Sequence, residues 1–169
     1  MRKWISISLL SLNLSLYAVS GTWDSTSGGN WTDQANWVGG IVPNAPSDSA
    51  AFNQAFISNT IVTLDEIITI GTLNVNLTTA TDTLTIANNT LKFNTNSGNA
   101  SFVSTIPAGK SLTVSSVFNL GKTINITVNN SGLLSINGPI TGNNAIIKDG
   151  SGSLEIAGTS RNSTKNGLC

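Results

Sequence analysis

The sequence predicts an all-β chain: a right-handed parallel β-helix, or solenoid, with a tryptophan-rich cap at its N-terminal end. Three observations carry that expectation. Apolar and polar residues alternate over runs of about four to six positions, which is the period of a strand and not of a helix. Asn, Gly, Asp and Ser fill the junctions, where positive φ or side-chain-to-backbone hydrogen bonds are needed. Aromatic residues make up only 6% of the chain, and the remaining apolar set is mostly Ile, Leu and Val, which suit the narrow interior of stacked rungs.

The first twenty residues, "MRKWISISLLSLNLSLYAVS", have the parts of a secretory signal peptide. Arg2 and Lys3 give the positive start, and Trp4 to Tyr17 an apolar stretch softened by serines. Ala18 and Ser20 place small residues where a signal peptidase reads, so cleavage is expected to leave Gly21 first. The apolar run is too short and serine-rich to span a bilayer comfortably.

Residues 21–58 form a Trp/Gly-rich segment. Three of the four tryptophans, Trp23, Trp31 and Trp37, lie here, with Gly28-Gly29, Gly39-Gly40, Pro43 and Pro46 breaking any helix. A short strand is expected at Ser49 to Phe52. The tryptophans admit two readings: a cap over the end rung of a stack, which would otherwise expose core and edges, or a platform on which sugars stack. Asp24, Asp33 and Asp48 lack the close spacing of a calcium loop, and Asx-turns account for them.

Residues 59–158 carry the strand series. "DTLTIANNT", "KSLTVSSVF" and "KTINITVNN" repeat a T-x-x-I-like core. Asn88-Asn89, Asn129-Asn130 and Asn143-Asn144 sit at turns, where stacked amides would form ladders. Rungs of roughly twenty residues would give about five or six of them. Residues 159–169 read as a polar tail, disordered or truncated, ending in Cys169, the single cysteine.

Two stretches resemble bacterial autotransporter passenger domains. The opening matches in Trp23-Asp24, Gly28-Gly29, Asn30-Trp31, Asn36-Trp37, Val42-Pro43, Asp48 and Ala51-Phe52. "IIKDGSGSLEIAGTS" is similar to the autotransporter-associated β-strand repeat through Lys148, Leu154, Ile156 and the hinge glycines Gly150, Gly152 and Gly158. The resemblance implies a parallel β-helix displayed outside the cell by a C-terminal translocator barrel. No such barrel pattern follows, so the chain is expected to stop mid-architecture, as a truncated or frameshifted passenger would. An unfinished last rung would expose an edge and favour aggregation or proteolysis.

The function expected from these features is a non-catalytic, secreted surface-display module, an adhesin or stalk. It would be exported to the cell surface, outer membrane-associated or extracellular, or remain periplasmic without a barrel. Its partners would be a host or cell-surface glycan or protein. Charged residues are 9% of the chain, against roughly a quarter in typical domains, and Lys plus Arg equals Asp plus Glu at 8 each. No basic patch marks a nucleic-acid partner. With no histidine there is neither an ordinary neutral-pH base nor an imidazole ligand, and no cofactor, metal or catalytic residue is expected.

Two alternatives remain. One is a glycan-binding module using the tryptophans. The other is a polysaccharide-active β-helix enzyme, which would need clustered carboxylates and a basic residue. Asp65 and Glu66 are adjacent, so on a strand they would face opposite ways. Arg161 is the only arginine after the leader, and the acids and lysines read as solvated surface charge.

Overall fold

The structure, a computed structural model, describes residues 17–56, 59–78 and 83–159. The charged start and apolar run of the leader up to residue 16, Asp82, and the tail from 160 with Arg161 and Cys169 lie outside the described residues.

Among the described residues the alternating segments become sixteen short strands wound into a parallel β-solenoid of about 4 turns. A partial turn comes first, with β1 (Ser20–Thr22), β2 (Gly29–Asn30) and two 3-10 turns, Gln34–Asn36 and Val38–Gly40. Then follow β3 (Ser49–Phe52), β4 (Thr60–Thr63), β5 (Ile68–Ile70); β6 (Thr72–Asn76), β7 (Leu84–Ala87), β8 (Thr90–Phe93); β9 (Ala100–Thr105), β10 (Ser111–Val114), β11 (Val117–Leu120); and β12 (Ile124–Asn129), β13 (Leu133–Ile136), β14 (Ile140–Thr141). A last partial turn holds β15 (Ile146–Asp149) and β16 (Ser153–Ile156).

Each turn gives one strand to each of three parallel sheets: β1-β3-β6-β9-β12-β15, β2-β4-β7-β10-β13-β16, and β5-β8-β11-β14. The expected five or six rungs are thus four complete turns with a partial one at either end. The stack also begins earlier than the boundary at residue 59 implies, because β1 and β3 inside the Trp/Gly-rich segment already belong to the first sheet.

Strand pleating sends every second side chain inward, and parallel register puts like positions above one another. In the second sheet Leu84, Leu112, Leu134 and Leu154 form one column, and Val62, Ile86, Val114, Ile136 and Ile156 the next. In the first sheet Ala50, Leu73, Phe102 and Ile126 stack, and in the third Ile68, Leu91, Phe118 and Ile140. At mid-stack Phe93 meets Phe118 and Phe102 with ring centroids 5.0 and 5.9 Å apart, linking the first and third sheets.

The register corrects the sequence-based repeat. "DTLTIANNT" and "KSLTVSSVF" do stack, Leu84 under Leu112, but "KTINITVNN" lies in the first sheet, not the second. Any strand with one face inward shows the same alternation, so period alone cannot assign a strand to a sheet. The repeat that does stack is the Leu-x-Ile/Val of the second sheet. Rung lengths vary: Thr72 pairs with Ser101, 29 residues on, whereas Asn125 pairs with Ile147, 22 residues on.

The turn asparagines serve in two ways. Asn88, Asn89 and Asn130 adopt φ of 66°, 31° and 65°, a region Asn tolerates better than most residues. Asn144 bonds along the stack, its Nδ2 donating to the Leu120 carbonyl at 2.9 Å, and outside the named pairs Asn99 Nδ2 donates to Asn125 Oδ1 at 3.3 Å.

The hinge glycines have a steric reason. Gly150 has φ 80°, and a Cβ there would lie 2.3 Å from the Val128 carbonyl oxygen of the rung below. At Gly158 a Cβ would lie 1.8 Å from the Gly138 oxygen, and at Gly152 2.6 Å from Val128 Cγ1. Backbone touches backbone at these corners, so no side chain fits.

The columns predict opposite costs for neighbours on one strand. Phe102→Ala empties a fully buried site and is expected to cost about 3–5 kcal/mol, whereas outward-facing Val103→Ala costs under about 1 kcal/mol. Urea unfolding of both variants checks this, and equal losses would contradict the register.

Candidate functional site: the tryptophan segment

The segment from Gly21 to Phe56 holds the residues that the sequence marks out for function, and it is built around Phe52. This residue is the inward end of β3, paired with Val75 of the next rung in the register. Trp23, Trp31 and Trp37 close around it, with ring centroids 5.4, 5.6 and 5.8 Å from the Phe52 ring. Trp37 meets Trp23 at 5.1 Å and 83°, and Trp31 at 5.0 Å and 64°. These edge-to-face geometries place positive ring edges on negative faces, worth about 0.5–1.5 kcal/mol per pair beyond area burial. Trp23 and Trp31 are 0% exposed and Trp37 3%.

A buried indole N–H needs an acceptor, and each has one. Trp23 Nε1 donates to the Ser25 carbonyl at 2.8 Å, Trp31 Nε1 to the Pro43 carbonyl at 2.9 Å, and Trp37 Nε1 to the Trp31 carbonyl at 2.6 Å. The structure therefore brings all three sequence-marked tryptophans together, with their faces occupied by one another and by Phe52. The hinge glycines Gly150, Gly152 and Gly158 lie in the last rungs, away from this cluster in the stack.

The segment is tied to the next turn by main chain and by acids. Trp23 N–H donates to the Ala51 carbonyl at 2.8 Å and Trp31 N–H to the Thr63 carbonyl at 2.9 Å. Asp65 and Glu66 lie in the turn between β4 and β5, not on a strand. Asp65 accepts from Thr32 through both its N–H, at 3.1 Å, and its hydroxyl. Glu66 Oε1 accepts from Asn44 Nδ2 at 2.6 Å, while Asn44 Oδ1 accepts from Thr69 N–H at 2.7 Å. Exposed as they are, these two acids are hydrogen-bonded clasps and not merely solvated charge.

The three aspartates of the segment divide. Asp33 makes the expected Asx contact, accepting from Ala35 N–H at 3.0 Å. Asp24 instead meets Gln54 Nε2 at 3.4 Å. Asp48 is only 3% exposed and holds chain segments together: Oδ1 accepts from Val19 N–H at 2.8 Å and Oδ2 from Asn44 N–H at 3.0 Å. Sequence reasoning missed Asn44, Phe52 and the Asp48 clasp. The inward parity of Phe52 in the expected strand was the one available signal, since contacts 29 residues apart leave no local pattern.

Among the described residues no group of three metal-binding side chains occurs and no cavity opens; no helix there is long and apolar enough to cross a membrane. Comparison with protein-family models, with curated proteins and with solved structures finds no match for this chain.

The Thr32 clasp has a pH consequence. Partial burial at the turn pushes the Asp65 carboxyl up, but the hydrogen bonds from the Thr32 hydroxyl, the Thr32 N–H and Asp65's own N–H together outweigh it and hold the pKa below the ordinary carboxylate value. A depressed carboxylate contributes stability that is present above about pH 3.9 and lost as pH falls through the lower folded value. Asp65→Asn is therefore expected to lose less stability than wild type between neutral pH and about pH 2.5, by under about 1 kcal/mol because the group is exposed. Urea midpoints at the two pH values decide it, and identical acid losses in both chains would contradict the clasp.

Proposed function

We propose that the chain is an exported, non-catalytic surface-display module, a β-solenoid stalk or adhesin fragment of the autotransporter passenger type. The tryptophan segment acts as its N-terminal cap. The observation that carries the reading is the outer face of the first sheet. Over β6, β9 and β12 its register lines read Thr72–Ser101–Asn125, Asn74–Val103–Thr127 and Asn76–Thr105–Asn129. Across these three strands none of the outward residues is charged; on β15 the lines pass to Ile147 and Asp149. Strands about 4.8 Å apart with outward residues about 6.6 Å apart along each strand make a regular lattice of hydroxyls and amides, suited to a neutral glycan or a polar protein surface and extendable rung by rung.

The cap reading is favoured over a sugar platform by the packing of the indoles. A sugar stacks on an open aromatic face, and here the three indoles are almost wholly buried, in ring contact with one another and with Phe52. A tryptophan-centred glycan site would require the cluster to open, giving up several aromatic contacts of about 0.5–1.5 kcal/mol each.

Two measurements test the proposal. Fractionation of bacteria producing the full chain should place it outside the cytoplasm; a product that stays inside with its leader argues against export. The exported protein should show blue-shifted tryptophan emission, near that of indole in an apolar medium, and this emission should not move when glycans are added. Red-shifted emission that responds to sugar would favour the platform.

A further inference from the structure

We propose that the leader is removed by hydrolysis of the Ala18–Val19 peptide bond, so that the mature chain begins at Val19 with its new α-ammonium held by the Asp48 carboxylate. This rests on the export reading above and moves the processing site two residues upstream of the Ser20–Gly21 bond that the small-residue pattern selects.

The chain enters the fold at Val19. Its N–H donates to Asp48 Oδ1 at 2.8 Å, and its carbonyl accepts from Ser49 N–H at 2.8 Å. Ser20 opens β1 and pairs with Ser49. Tyr17, just upstream, is 85% exposed, and Ala18 is exposed too.

A cut after Ser20 would damage this arrangement at three points. Asp48, 3% exposed, would keep only the Asn44 N–H as donor, and losing a partner at a buried carboxylate is costly. Ser49 N–H would lose its acceptor. The new ammonium would form on Gly21, a buried residue. A charge formed at such a place carries a desolvation penalty.

A cut before Val19 has the opposite effect. Water adds across the amide under a signal peptidase: the Ala18 acyl carbon takes the water oxygen and leaves as a carboxylate with the leader. The Val19 nitrogen takes both protons of the water and becomes an ammonium. The atom that already donates to Asp48 thus gains the charge that its buried partner lacks, since both donors now on Asp48 are neutral amides. The contact becomes a charge-assisted hydrogen bond, roughly twice as strong as a neutral one. Ala18 is small, as the position before the cut requires. Leu16, two residues further back, is larger than the usual pattern, so pattern and fold point to different bonds.

The test is the N-terminus of the exported product of the full chain, made in a bacterium with its own signal peptidase and read by mass spectrometry. Val19 is expected. Gly21, or an exported chain that keeps its leader, would overturn this inference while leaving export standing, whereas an uncut chain retained in the cytoplasm would overturn both. Ser20→Phe adds a second arm, because it puts a bulky residue directly before the Ser20–Gly21 bond but beyond the Ala18–Val19 bond. Processing is expected to continue, giving Val19; loss of processing overturns the proposal. In the exported product the α-amine should methylate at least tenfold more slowly in the folded chain than in urea, and equal rates would refute its contact with Asp48.

Discussion

Each inward side chain rests on the inward side chain of the rung below, and the rest of the molecule follows from that stacking. Parallel register makes it possible: Leu84 lies under Leu112 and Leu134 because the strands align residue for residue. The columns fix which residues face out, so the surface is as regular as the core. They also force backbone against backbone at the corners, where Gly150 and Gly158 leave no room for a Cβ. A solenoid of this kind has no closing strand, so both ends need a separate solution.

At the N-terminal end of the described stack the inward packing is aromatic. Phe52 is the last large inward side chain of its column, with Gly21 and Ala50 as small neighbours in the first sheet. Three indoles fill the space above it, each with its N–H bonded to a carbonyl of the same segment or its approach. The acids of the next turn, Asp65 and Glu66, then hold the segment down from outside the core. At the other end β14, β15 and β16 are the outer strands of their sheets. There Lys148 occupies the inward position above Ile126, and its ammonium reaches the Gly150 carbonyl at 2.7 Å.

Much of this was legible in the sequence, for a physical reason. A parallel solenoid repeats one local rule, inward apolar and outward polar, and a local rule leaves a local trace. The strand at Ser49–Phe52 and the alternation from residue 59 onward could be read directly. What could not be read depends on which rung lies above which. The sheet assignment of "KTINITVNN" and the Asp48 contact with Val19 both need the register, and unequal rung lengths hide it. The tryptophans were legible as a cluster in sequence, but their packing around Phe52 was not, since only the parity of Phe52 hinted at its place.

The division of labour between faces bears on how such a chain could change its binding without losing its fold. An outward position touches its register neighbours and solvent, so exchanging Ser for Thr or Asn there leaves the columns untouched. An inward position touches residues above and below, and a change travels along the stack. A display surface built on this plan can vary one lattice point at a time while each rung keeps its neighbours in place. The low charge content fits the same constraint. Like charges repeated at the roughly 4.8 Å rung spacing would repel along every register line, whereas hydroxyls and amides at that spacing can bond to one another, as Asn119 Nδ2 does with Thr141 Oγ1 at 2.8 Å. The Ser, Thr and Asn that give this sequence its unusual composition are thus the residues a stacked outer face can carry in register without straining the ladder beneath.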